Sequence, residues 1–224
     1  MEIVNAKDLT SDYLTCLIYG VPGMGKTTLL GKLPGKTLII DVDQGTKVLR
    51  GCENVDVVYI PENLKEINSF LGELSTKSEY QNVAVDSLSE FEAKMLAYFG
   101  QQSRNDGVPG IQDYLKVNMG ISYLCRKLRT FKCNIVFTAW EDQCEIIAST
   151  GDKYTQKRPL LRDKIVNNIC GLCDIVGRIV VKPENGERYV VLEGSNDAVA
   201  KDRIYKRKEC KFEELIPKEE FIND

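Results

Sequence analysis

The chain has 224 residues, 30 Lys+Arg against 33 Asp+Glu, and no histidine. A hydrophobic content of 43% excludes a disordered chain, and this length fits one sizeable domain with elaborations. Without histidine there is no Ser-His-Asp triad, no Cys-His pair, no His-ligated zinc enzyme and no imidazole acid or base. Short apolar runs then alternate with helical patterns, which implies an α/β fold with a mostly parallel sheet covered by helices. The first strand is expected over 14–19, followed by a glycine loop and a helix over 26–32. Strands follow over 37–42 and 55–60, the second stopped by Pro61. A helix over 63–75 places Leu64, Ile67, Leu71 and Leu74 on one face. Val83-Ala84-Val85-Asp86 reads as the next strand, and Ser87 with Glu90 three residues on is a capping-box signature. The helix it opens carries Leu88, Phe91 and Met95 and stops at Gly100.

Residues 101–112 read as a polar loop, and a longer helix over 113–131 repeats Tyr114, Val117, Ile121, Leu124, Leu128 and Phe131. A strand is expected at 134–140, whereas 141–160 are polar and basic without a period and read mostly as loop. A short helix over 161–172 precedes strands at 175–181 and 188–192, which Asn185-Gly186 joins as a hairpin. The expected division is a core over 1–200 and a charged tail over 201–224, partly helical or mobile.

The net charge of −3 is unevenly spread. Residues 1–100 carry 9 basic and 14 acidic groups, 101–168 carry 11 and 7, and 201–211 carry 6 and 2. Contact with a polyanion is therefore expected from the middle of the chain and the late basic run. Eight cysteines are too few for a disulfide scaffold, and Cys170-Gly-Leu-Cys173 has no second pair to complete a zinc site. Reduced, mostly buried thiols are expected. The polar start MEIVNAKDLTSDY does not read as a signal peptide, and no apolar run approaches a membrane span, so a cytoplasmic protein is expected.

Gly20, Val21, Pro22, Gly23, Met24, Gly25, Lys26 and Thr27 match G-x-x-x-x-G-K-[ST] without a mismatch, between an apolar strand and a helix. Glycines there let the backbone wrap a phosphate with its N–H groups pointing inward. Lys26 would contact the β- and γ-phosphates, Thr27 would ligate Mg²⁺, and Thr28 would be a packing or ribose-side neighbour. Asp86, at the end of an apolar strand, is the candidate second metal ligand. Asp41 and Asp43 end another strand and share a face, and Asp43 is the leading candidate to polarise the attacking water.

Taken in order, LIYGVPGMGKTTL, LIIDVDQGT, NVAVDSLSEF, IQDYLKV, CNIVFTAWED, CDIVGRI and AKDR resemble the small phage-encoded RecA-like P-loop ATPases, the single-strand annealing and recombination group. The resemblance spans roughly residues 12–205. It implies a RecA-like P-loop NTPase fold with a C-terminal β-hairpin, ATP and Mg²⁺ as cofactors, and adenine preference. It implies that Asp43 activates water and that Asp86 is the Walker-B aspartate. The polar sensor at the end of the last core strand is often His in this group; Trp140 stands there, with Glu141 or Gln143 as substitutes. Nucleotide bound between subunits implies a homo-oligomer, ring or filament, with Lys201 and Arg203 reaching in from a neighbour. Loops 101–112 and 141–162 would meet single-stranded DNA, the second through Lys153, Tyr154, Lys157, Arg158 and Arg162. A single-stranded-DNA-binding protein is a possible further partner, and the host cytoplasm the implied location.

The reading is therefore a DNA-stimulated ATPase that promotes annealing or strand exchange in phage DNA metabolism. The alternatives are a nucleotide-gated loader or binding module, and a small-molecule (nucleotide) kinase. A GTPase is disfavoured because no N-K-x-D motif is present.

Overall fold

A computed structural model describes residues 5, 7, 13–103, 107–147 and 151–217. Strand β1 (Thr15–Gly20) is buried along its whole length because it pairs in parallel on both edges, with β5 (Asn134–Ile147) and β7 (Ile175–Val181). On the far side of β5 lie β4 (Asn82–Asp86), β2 (Thr37–Asp41) and the edge strand β3 (Val55–Tyr59), all parallel. Beyond β7 the sheet continues antiparallel through β8 (Arg188–Val191) to β10 (Glu209–Cys210). The short β9 (Lys201–Asp202) also pairs with β7.

Each face of the sheet is covered. Helices α2 (Ile67–Leu74), α3 (Leu88–Gln101), α4 (Ile111–Leu128) and α5 (Asp163–Leu172) bury Leu71, Phe91, Ile121 and Ile169 against Leu17, Val85 and Phe137. Helix α1 (Lys26–Leu30) covers the other face, where Leu29 and Leu30 meet Ile18, Ile39 and Val136. The alternation of strand residues between these two cores is the period-2 rule at work. The capping signature at Ser87 is realised, its hydroxyl accepting from the Glu90 backbone N–H at 3.3 Å.

Two expectations need correction. Residues 141–160 are not mostly loop. The strand β5 runs on past the core and pairs with β6 (Lys153–Pro159) as an antiparallel arm. Opposed polar partners hold it, Asp142 with Arg158 and Gln143 with Lys157, so both faces are polar and no apolar alternation shows in the sequence. Residues 201–217 are not a separate tail either. Cys210, Phe212, Leu215 and Ile216 are buried in the α1-side core. The basic run is anchored by Arg207, which pairs with the buried Asp202 at 2.7 Å and donates to the Glu214 and Leu215 carbonyls. The remainder of the expected tail, 218–224, lies outside the described residues.

Candidate active site

The carboxyl ends of β1, β4, β5 and β2 converge on one edge of the sheet, the edge at which open α/β sheets bind ligands. Gly23 and Gly25 adopt φ values of 82° and 91°, a conformation open to glycine at little cost, and this lets residues 20–25 curl back into α1. Lys26 is buried beneath the loop, its ammonium donating to the Gly20 and Val21 carbonyls at 2.9 and 3.1 Å. Burial lowers its pKa, against the opposing pull of Asp86, Asp43 and Glu141. The loop thus holds a poorly solvated cation with weak neutral partners, a group an anion would satisfy better.

Asp86 is only 2% exposed, and both its oxygens are engaged. Thr27 Oγ1 donates to Oδ2 at 2.6 Å and the Thr138 hydroxyl donates to Oδ1. Asp86 and Thr138 lie on the α1 face of the sheet, two residues past Ala84 and Val136 of that core, and Thr27 stands on α1 itself. Thr138 stands one residue past the Val85 and Phe137 pair and so comes level with Asp86. A hydroxyl and a carboxylate in contact suit Mg²⁺, which takes few protein ligands and keeps waters and phosphate oxygens for the rest. Thr27 and Asp86 would hold it, with Thr138 orienting the carboxylate.

The two acidic residues at the end of β2 have different surroundings. Asp41 is buried and accepts from Thr46 Oγ1 at 2.6 Å and from the Thr46 and Gly45 backbone N–H groups at 3.3 Å, so it braces its own turn. Asp43 is exposed and accepts only from Gly45 N–H, at 3.0 Å. Desolvation of its carboxyl, then the charge of Asp86, raises its pKa above the ordinary carboxylate value. Such a carboxylate is a stronger base than usual beside a metal site.

The family model described as an AAA domain matches residues 12–204. The chain belongs to the AAA domain family. No curated protein matches it. Among solved structures it is similar to a KaiC-like protein from the hyperthermophilic archaeon Pyrococcus horikoshii OT3. That similarity is 13% identity over 80% of this chain and 77% of that chain, with a TM-score of 0.46.

In this AAA-domain P-loop NTPase the sensor candidates sit at the end of the core part of β5. Trp140 pairs with Gly20 at the root of the phosphate loop and its backbone N–H donates to Ser89 Oγ at 2.9 Å. Its indole makes no hydrogen bond among the described residues. Glu141 is clasped by Arg178 of β7 through two bonds of 2.8 and 3.0 Å. Thr138 and Arg178 were not legible in sequence: each is one polar residue in an apolar strand, and only the strand order brings them to the site. Lys201 and Arg203 lie at the opposite, amino-terminal edge of β7, away from their own phosphate loop. Arg203 is half exposed, and Nε donates to Asp174 at 2.9 Å.

The DNA candidates gather on the β5 and β6 arm and its root. Lys153 pairs with Glu145 at 2.9 Å near the tip, with Tyr154 opposite Ile146. Lys157 donates to Gln143, and Arg158 bridges Asp142 and Asp163 at 3.1 and 2.7 Å. Arg162 stacks 4.2 Å above the Tyr114 ring. A cavity of about 610 Å³ opens at this root, lined by Glu92, Leu160, Lys164 and the two arginines. Of the earlier loop 101–112, residues 104–106 lie outside the described residues. Among the described residues no helix is long and apolar enough to cross a membrane. Cys170 and Cys173 are buried free thiols, the first raised by burial to about 11.

Proposed function

We propose that this chain is a Mg²⁺-dependent ATPase that binds single-stranded DNA and promotes strand annealing or exchange in phage recombination. The observation that carries the ATPase reading is the cluster of Lys26, Thr27, Asp86 and Thr138 under one glycine loop, with Asp43 as the free base beside it. Bound Mg²⁺ would neutralise phosphate charge and shield the leaving group. Lys26 would exchange its carbonyl partners for β- and γ-phosphate oxygens. Asp43 would take a proton from the attacking water as its oxygen bonds to the γ-phosphorus. The bond to the β,γ-bridging oxygen breaks, giving ADP and phosphate.

Support for the DNA reading is the set of basic side chains along the arm, ending in a wide cavity lined by Arg158, Arg162 and Lys164. Phosphates would meet the charges there, and the Arg162 guanidinium, held flat on the Tyr114 ring, would offer its outer face to a base. Strand β5 carries Thr138 and runs on into this arm, so nucleotide site and arm would share one element. Oligomers are part of the proposal, with Arg203 reaching a neighbour's nucleotide from the edge opposite its own phosphate loop. One observation favours a second reading, a nucleotide-gated binding module: Lys153 and Arg158 already have carboxylate partners within the arm. ATP hydrolysis with and without single-stranded DNA separates the two. Stimulation that fades on adding salt supports the first, because phosphate contacts release counterions. Tight ATP binding with DNA-insensitive turnover supports the second.

A further inference from the structure

The phosphate loop has two different surroundings along its length. Thr27 faces Asp86 and Thr138, where metal and terminal phosphates would gather. Gly25 instead backs onto the β7 and β8 hairpin and the C-terminal segment. A Cβ placed on Gly25 would lie 3.4 Å from Arg188 Nη1 and 3.5 Å from Phe212 Cε2. A cavity of about 270 Å³ opens there, lined by Thr28, Lys32, Glu187, Arg188, Lys211 and Phe212. Because Thr28 follows Thr27 directly, this cavity begins where the phosphate loop ends.

We propose that the cavity is the nucleoside subsite, in which the Arg188 guanidinium lies on the face of a purine base and Phe212 forms the fixed inner wall. The inference rests on the reading of residues 20–27 as a nucleoside triphosphate site. Charge bookkeeping within the cavity favours a flat uncharged ring over a further phosphate. Lys32 is already paired with Glu213 at 2.5 Å and Lys211 with Glu187 at 3.7 Å. Arg188 is exposed and makes no ion pair or hydrogen bond among the described residues, so its planar face is available for stacking. Phe212 is buried, which fixes its ring. Strand β10 pairs with β8, the strand that carries Arg188, so the fold-back of residues 209–216 builds one wall of the site.

The test is calorimetric titration of the full chain with Mg-ATP and with inorganic tripolyphosphate plus Mg²⁺, for wild type, Arg188→Ala and Arg188→Lys. Wild type should bind ATP more tightly than tripolyphosphate. Arg188→Ala should weaken ATP by about ten-fold, the scale of a partly desolvated cation–π contact, and leave tripolyphosphate unchanged. Arg188→Lys should lose most of the same increment, because charge is kept and the flat face is not. Unchanged ATP affinity in Arg188→Ala overturns the proposal. Equal losses for both ligands also overturn it, by making Arg188 a phosphate ligand. Wild type binding tripolyphosphate as tightly as ATP removes the nucleoside subsite and leaves the phosphate loop standing. Wild type binding neither ligand removes the phosphate-loop reading, and this subsite with it.

Discussion

Replacing Thr138 by Val tests how the metal-side carboxylate is held. Val keeps the β-branched shape that suits a central strand and deletes one hydroxyl. Thr138 is fully buried, and Asp86 has almost no exposure through which solvent could replace the lost donor. A hydrogen bond to a charged group contributes about 1.5–3 kcal/mol, and most of that should be lost, since Thr27 can serve only Oδ2. For a domain of this size about 1 kcal/mol corresponds to roughly 2–4 °C in Tm, so nucleotide-free Thr138→Val should melt about 3–12 °C lower. Urea unfolding followed by circular dichroism gives the same quantity as a lower midpoint at unchanged slope. Hydrolysis should fall as well, because Asp86 loses the partner that aims it, and Thr138→Ser should recover it. A Val variant within about 0.5 kcal/mol of wild type, with normal turnover, would refute the positioning role.

The raised pKa of Asp43 has two consequences. Its carboxylate must be ionised to accept a proton, so the acid limb of the hydrolysis rate should lie above the ordinary carboxylate range near pH 4; a rate flat down to that range would count against Asp43 as base. A folded-state pKa above the unfolded one favours the fold below the unfolded pKa, and that contribution is lost as pH rises through the folded value. Asp43→Asn should therefore raise Tm at neutral pH, with the gain vanishing in acid; a lower Tm at neutral pH would contradict the origin given for the shift. Asp41→Ala should instead destabilise by about 1–3 kcal/mol in denaturant titration, since the Thr46 hydroxyl and backbone N–H lose their acceptor, while Gly45 N–H keeps Asp43. Arg203→Ala should lower turnover, and mixing it with Lys26→Ala subunits should restore part of it if Arg203 acts across an interface; no recovery would confine Arg203 to its pairing with Asp174.

Much of this molecule was legible before its structure. The strands from β1 to β5 and the helices between them announced themselves through apolar runs and helical spacing, because packing against two cores demands both. The phosphate loop was legible because glycine, lysine and threonine are fixed there by backbone geometry and phosphate chemistry. The arm was not, because its strands are held by cross-strand polar pairs rather than by a buried face, so residues 141–160 carry no apolar period. The C-terminal segment was misread for a related reason: Lys206, Arg207 and Lys208 dominate its composition, whereas Cys210, Phe212, Leu215 and Ile216 decide its fold. Asp41 and Asp43, two apart at one strand end, were both candidates in sequence, with Asp43 ahead. The turn after β2 separates them: it gives Asp41 the Thr46 hydroxyl and leaves Asp43 with the Gly45 N–H alone. Thr138 needed the strand order, since its partner Asp86 is 52 residues away in sequence.

The most direct test sets Asp43→Asn against wild type in two paired measurements, Mg-ATP affinity by calorimetry and phosphate release under saturating ATP. Asparagine keeps the shape and cannot take the proton from water. The expected result is wild-type ATP affinity with phosphate release reduced by at least about 100-fold, the low end of what a general base contributes. Equal phosphate release in the two proteins would contradict the account, and would return Asp43 to a solvated turn residue with the base elsewhere.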